Sequence, residues 1–182
     1  MLGMTPSLGD IGSSTRALRA EISAASWFAA LGEPLTDGDR TDALAYANVD
    51  DVTLVTSWPE AEAFLKAPAS LAWWDREEAL RKALLARAEA KVPERALWTA
   101  LTELTTEAGD LVHGRAATAA ARMGGAAPAS IHVAAGAAAQ AVYQLAVARI
   151  AGETASLFES KFRLFAAGRW PLGVAGSRLV LF

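Results

Sequence analysis

The chain has 182 residues, 53% of them apolar, with 17 basic and 20 acidic side chains and a formal net charge of −3. That size supplies one sizeable hydrophobic core, and the slight acidity argues against nucleic acid as a partner. Cysteine is absent, which excludes a disulfide framework, a thiolate metal site and a cysteine nucleophile, and fits a reducing cytoplasm. Abundant alanine, with arginine well ahead of lysine, suggests a GC-rich bacterial genome.

Residues 1–12, with Pro6 and three glycines, read as a flexible arm. They lack the basic-then-apolar pattern of a secretory signal. A first helix is expected from Ser13 or Ser14 to Leu31, because Leu18, Ile22, Ala25, Phe28 and Ala29 recur at helical spacing. Gly32 and Pro34 stop it. The acidic turn Asp37-Gly38-Asp39 leads into a short helix over 40–47. Its glycine stands at the wrong place for a calcium loop, so capping by Asp37 or Asp39 is the expected role. Segment 49–56, with Val52, Leu54 and Val55, reads as strand or helix, with no strong second strand nearby.

Ser57 and Glu60 form a capping-box pattern for a helix ending near Pro68. The next helix, 71–91, places Trp73, Leu80 and Leu84 on one face. Pro93 opens a long helix whose Leu97, Leu101, Leu104, Ala108 and Leu111 form an apolar stripe, and Gly124-Gly125 ends it. Pro128 opens the next, which stops at Gly152. Thr154 caps a last helix to Ala167, and 169–182 form a short tail, irregular and packed on the bundle, with an extended Leu179–Phe182 end. The expected fold is all-α: a single domain over 1–182, with about six to seven helices around a buried alanine-rich central helix.

That central helix is the most informative element. The stretch 123–148 carries almost no charge, so it belongs in a core or a membrane. Its length suits a bilayer, but His132, Gln140, Gln144, Pro128 and several glycines favour a buried helix with no membrane. Buried polar groups need partners. The hairpin folded at Gly124-Gly125 brings Asp110 near Tyr143 and His113 near Gln140. His132, Gly136, Gln140 and Gln144 share one stripe through spacings of four. A polar site is therefore expected from Asp110, His113, Arg115, His132, Gln140, Tyr143 and Gln144. Its functional reading is a small anionic metabolite held by Arg115, with His113 as base or donor; its structural reading is a closed hydrogen-bond network. Gly136→Leu is then expected to be strongly destabilising, and His113→Ala to cost about 1–3 kcal/mol.

Glu103, Glu107, Asp110 and His113 resemble half of a carboxylate–histidine metal motif. The second half is missing, since alanine stands at 129, so no metal is assigned. The string Lys161-Phe162-Arg163-Leu164-Phe165, followed by Gly168-Arg169-Trp170, is basic and aromatic. Its candidate partner-binding residues are Arg163, Arg169 and Trp170, against a structural reading in which the phenylalanines seal the bundle. Six tryptophans are present; Trp73 and Trp74 point in different directions, so one is core and the other sits at a pocket rim or a homodimer contact. No phosphate loop, dinucleotide fingerprint or nucleophile elbow occurs, and no cofactor or reaction is assignable. The expected function is contact with a protein partner or a second copy, with metabolite binding or catalysis at the 93–123/128–151 hairpin as the alternative.

Overall fold

A computed structural model describes residues 8–67 and 71–182, in the order α1 (Leu8–Ala24), α2 (Asp37–Ala47), β1 (Asp51–Leu54), α3 (Trp58–Lys66), α4 (Leu71–Glu89), α5 (Glu94–Arg122), α6 (Pro128–Ile150), α7 (Leu157–Ala166), β2 (Pro171–Ala175) and β3 (Arg178–Leu181). Residues 1–7 of the expected arm and the helix stop at Pro68 lie outside the described residues. A mostly helical, multi-helix domain is the architecture, with seven helices and one small sheet among the described residues.

The centre is the antiparallel pair α5 and α6, turned at Gly124 (φ 90°) and Gly125 (φ 101°), where only glycine is comfortable. On α5 the buried positions are Leu97, Leu101, Leu104, Ala108, Val112, Ala116, Ala119 and Ala120. The stripe thus continues through Val112 rather than the expected Leu111, which is only half buried. α6 is long and apolar enough to cross a membrane by length and composition, and 56% of that window is buried inside the protein. Its burial is uneven. Val133, Gly136 and Gln140 are exposed, whereas Gln144 to Ala148 form an unbroken buried run where α4 and α7 cover the helix.

α1 is displaced from its expected span, starting at Leu8 and ending at Ala24. Tertiary contacts break it. Trp27 Nε1 donates to the Ile22 carbonyl (2.8 Å), Phe28 adopts a left-handed φ of 60°, and the Ser26 and Ala30 amides donate to the Ala166 and Gly168 carbonyls. These bonds replace the helical ladder for 25–30. Gly168 is required here: at φ 92° a Cβ would lie 2.6 Å from the Ala30 amide nitrogen.

The tail departs from the irregular segment expected. β2 and β3 form an antiparallel hairpin, and β1 adds in parallel to β3, giving the order β1-β3-β2 with Val52 opposite Leu179 and Leu54 opposite Leu181. Reciprocal bonds between the Trp170 and Phe182 backbones close its far end (2.7 and 2.9 Å). Side chains alternate along β3. Leu179 and Leu181 join a small cluster with Tyr46, Trp73 and Leu164, while Val180 and Phe182 join the main core with Trp58 and Trp170.

Candidate functional site

The residues expected to form one polar site are distributed over three places. His113 and His132 do meet across the α5–α6 hairpin, edge to face at 4.9 Å between ring centroids. Both are solvent-exposed, and His132 Nδ1 lies 3.0 Å from the Pro128 carbonyl oxygen. Asp110 and Gln140 are also exposed, and Tyr143 is half buried. Gly136 faces open space, with nothing within 4 Å of the place a Cβ would occupy, so the close contact expected there is absent. Arg115 turns away from the hairpin toward α1. The reason is the register of α5: with Val112 and Ala116 buried, Arg115 and His113 fall on the flanks rather than on the core stripe.

Gln144 alone enters a buried polar cluster, and its partners come from elements the sequence did not link. Glu77 Oε1 accepts from Gln144 Nε2 and Lys161 Nζ, each at 2.6 Å, and Glu77 Oε2 accepts from the Tyr46 hydroxyl at 2.7 Å. Lys161 Nζ also donates to Gln144 Oε1 at 2.9 Å and stands 5.5 Å from the centre of the Tyr46 ring. The four residues are 1–3% exposed and tie α2, α4, α6 and α7 at one point. Burial pushes the Tyr46 hydroxyl well above its ordinary range, with the Glu77 carboxylate adding to the effect. Burial also lowers Lys161, and Glu77 opposes that shift. Glu77, Gln144 and Lys161 are satisfied by one another, so this cluster fixes helix positions rather than presenting chemistry to a ligand.

The basic aromatic string is likewise committed internally. Arg169 is 2% exposed. Its guanidinium contacts Asp39 Oδ2 (3.0 and 3.2 Å) and donates to the carbonyls of Ala30, Glu33 (2.7 Å) and Pro34 (2.6 Å). Four hydrogen bonds and the ion pair thus engage all three guanidinium nitrogens. It pins the turn after α1 to the first turn of α2, where Thr36 and Asp39 make a reciprocal capping box. Trp170 is buried against Trp58 (5.8 Å) and Phe182 (6.5 Å). Neither residue faces outward to a partner as the sequence suggested. Arg163 is exposed and pairs with Asp42 at 2.8 Å.

Several uncommitted groups lie on α5 and its neighbour α1. Trp98 is 40% exposed and borders an open trough of about 610 Å³ lined by Arg95, Thr99, Thr102, Glu103, Thr106 and Glu107. The trough shares Arg95 and Thr99 with a groove of about 700 Å³ between α1 and α5, which also includes Arg16. Arg16 and Arg95 have no ion pair or hydrogen bond among the described residues. Glu103 and Glu107, half of the metal pattern read from the sequence, are instead held by Arg19 at 2.9 Å each. No group of three metal-ligating side chains occurs among the described residues. Trp74 is the exposed member of its pair, at 38%, and Trp73 the buried one, at 9%, packed on Tyr46. Comparison with protein-family models, curated proteins and solved structures gives no match to this chain.

Proposed function

We propose that this protein acts in the cytoplasm by contact with another protein, through the outer face of α5. The observation that carries this reading is Trp98: a large aromatic ring left 40% exposed beside an open, mainly apolar trough. Tryptophan and arginine are the residue types that most often anchor protein interfaces. Three threonine methyl groups extend the apolar surface, and unpaired Arg16 and Arg95 stand at its rim. The partner segment that complements this face carries an aliphatic or aromatic anchor flanked by acidic residues. Glu103 and Glu107, which also line the trough, are engaged by Arg19; that leaves Arg16 and Arg95 as the unpaired charges for acidic residues of a partner, and the partner proposed is a different chain.

The test is a photo-crosslinking amino acid placed at position 98 in cells, with position 133 as an exposed control on α6. The expected result is a discrete adduct with a second protein from 98 but not from 133, lost on wild-type competition and weakened by Trp98→Asp in the recovered complex. Equal crosslinking from both positions, or a complex indifferent to Trp98→Asp, would overturn the reading. An adduct of twice the chain mass would assign the face to self-association instead.

A further inference from the structure

The cavity between the end of α1 and the second half of α5 has the composition of a ligand site. It has a volume of about 410 Å³ and is lined by Ser23, Ser26, Phe28, Arg115, Thr118 and Arg122, together with Trp27 and four alanines. That volume is within the usual range for small-molecule pockets. Arg115 and Arg122 are seven residues apart, two turns along one face of α5, with Thr118 between them. Arg115 has no partner among the described residues. Arg122 makes a single long bond, 3.4 Å, to the carbonyl of left-handed Phe28. No carboxylate lines the cavity, although the chain as a whole is acidic.

The other polar atoms narrow the ligand. Ser23 Oγ donates to the Arg19 carbonyl and Thr118 Oγ1 to the Gly114 carbonyl, both at 2.9 Å. Their hydroxyl protons are spent, so these oxygens offer lone pairs to whatever enters. The carbonyl end of α1 adds partial negative charge nearby. An anion alone would use the arginines and leave these acceptors unmatched. A ligand with an anionic group and hydroxyl donors uses both sets.

We propose that this cavity binds a small hydroxylated organic anion, its carboxylate or phosphate held between Arg115 and Arg122 and its hydroxyls received by Ser23 and Thr118. The site is separate from the Trp98 face, and the two stand or fall independently.

The experiment is a titration of the full chain with glycerol 3-phosphate, malate and inorganic phosphate at constant ionic strength. It is followed by melting midpoint and by backbone amide shifts in ¹H–¹⁵N spectra. A saturable rise in midpoint is expected for one of the hydroxylated anions, stronger than for inorganic phosphate, with amide shifts concentrated at 23–29 and 115–122. Arg115→Gln and Arg122→Gln should each weaken binding about tenfold or more, while Arg16→Gln leaves it unchanged. Saturation by glycerol 3-phosphate would identify a phosphate ligand, and by malate a carboxylate. A response that never saturates, that inorganic phosphate matches, or that maps outside these two segments would overturn the proposal. The wild-type amide map decides the case even if an arginine variant does not fold.

Discussion

The α7 string and the outer face of α5 make opposite use of the same residue types. Between 161 and 170 the chain is basic, aromatic and conspicuous, yet Lys161, Arg169 and Trp170 are buried and bonded within the fold. α5 reads as an ordinary amphipathic helix, yet it carries exposed Trp98 and the unpaired Arg95 and Arg115. What separates them is whether each donor and apolar surface is already committed. A charge surrounded by acceptors on several elements is part of the scaffold, and one with open space before it remains available to a partner. Substitutions at the buried positions of the 161–170 string should therefore destabilise the protein, and substitutions on the outer face of α5 should leave it folded while removing its contacts.

The largest effect is expected at Lys161. Lys161→Met leaves Glu77 buried without its cation, and loss of one member of a buried pair costs about 3–5 kcal/mol, measurable by urea unfolding. A loss below about 1 kcal/mol would mean that water reaches Glu77 and the cluster is not sealed. Arg169→Gln is next: it strips donors from Asp39 and from carbonyls of the 30–34 turn, and about 2–4 kcal/mol should be lost. Amide exchange in 26–34 should rise with it; protection unchanged there would show that Gly168 and Ser26 hold the turn without the arginine.

Tyr46→Phe is a smaller perturbation with a distinctive pH signature. It removes the bond to Glu77 at a cost of about 1–2 kcal/mol near neutral pH. Burial raises the folded-state Tyr46 value above its unfolded one. The native state therefore keeps its proton where the unfolded chain loses it, and stability falls as pH rises beyond about 10. Lys161 acts with the opposite sign below that range, since its lowered folded value makes stability rise with pH there. Lys161 is present in both proteins, so the difference between wild type and Tyr46→Phe above about pH 10 isolates the tyrosine. The gap should narrow as pH rises; a constant gap would mean that Tyr46 ionises as freely as in the unfolded chain.

The smallest effects belong to the open surfaces. Gly136 is exposed with empty space beside it, so Gly136→Leu should be neutral or stabilise by about 0.5–1 kcal/mol through helix propensity. This reverses the expectation drawn from the sequence, and strong destabilisation would show that the first half of α6 is covered in solution. Trp98→Asp should shift stability by about 0.5 kcal/mol or less, which is what makes it a clean probe of binding.

The helical framework was legible because its signals are local: Pro93, Pro128, Gly124 and Gly125 mark the long hairpin, and Ser57 marks a cap, whereas α2 is capped by Thr36 rather than by the expected Asp37 or Asp39. The sheet was not, because β1 pairs with β3 from the other end of the chain, and no local pattern reports such a partner. The polar site was misplaced by one residue of register. Leu97, Leu101, Leu104 and Ala108 lie on the buried face as expected, but continuing through Leu111 instead of Val112 turns the last part of the stripe by about 100° and brings Arg115 inward, while matching positions equally far from the turn brought in His113. Gln140 was grouped with Gln144 by its spacing of four, but α4 and α7 cover only the later part of α6.

Glu77 and Lys161 were missed although each left a signal. Glu77 stands four residues after Trp73 and seven before Leu84, on the very stripe read as apolar, and Lys161 sits between Phe158 and Leu164 on the buried face of α7. Two opposite charges on two apolar stripes were a pair waiting to be matched, and single-helix patterns do not match them.

The most direct measurement compares photo-crosslinkers at positions 98 and 163, one on each of the contrasted regions and both solvent-exposed. An adduct with a second protein is expected from 98 and none from 163. An adduct from 163 with none from 98 would place the contact on the α7 string and contradict the assignment to α5.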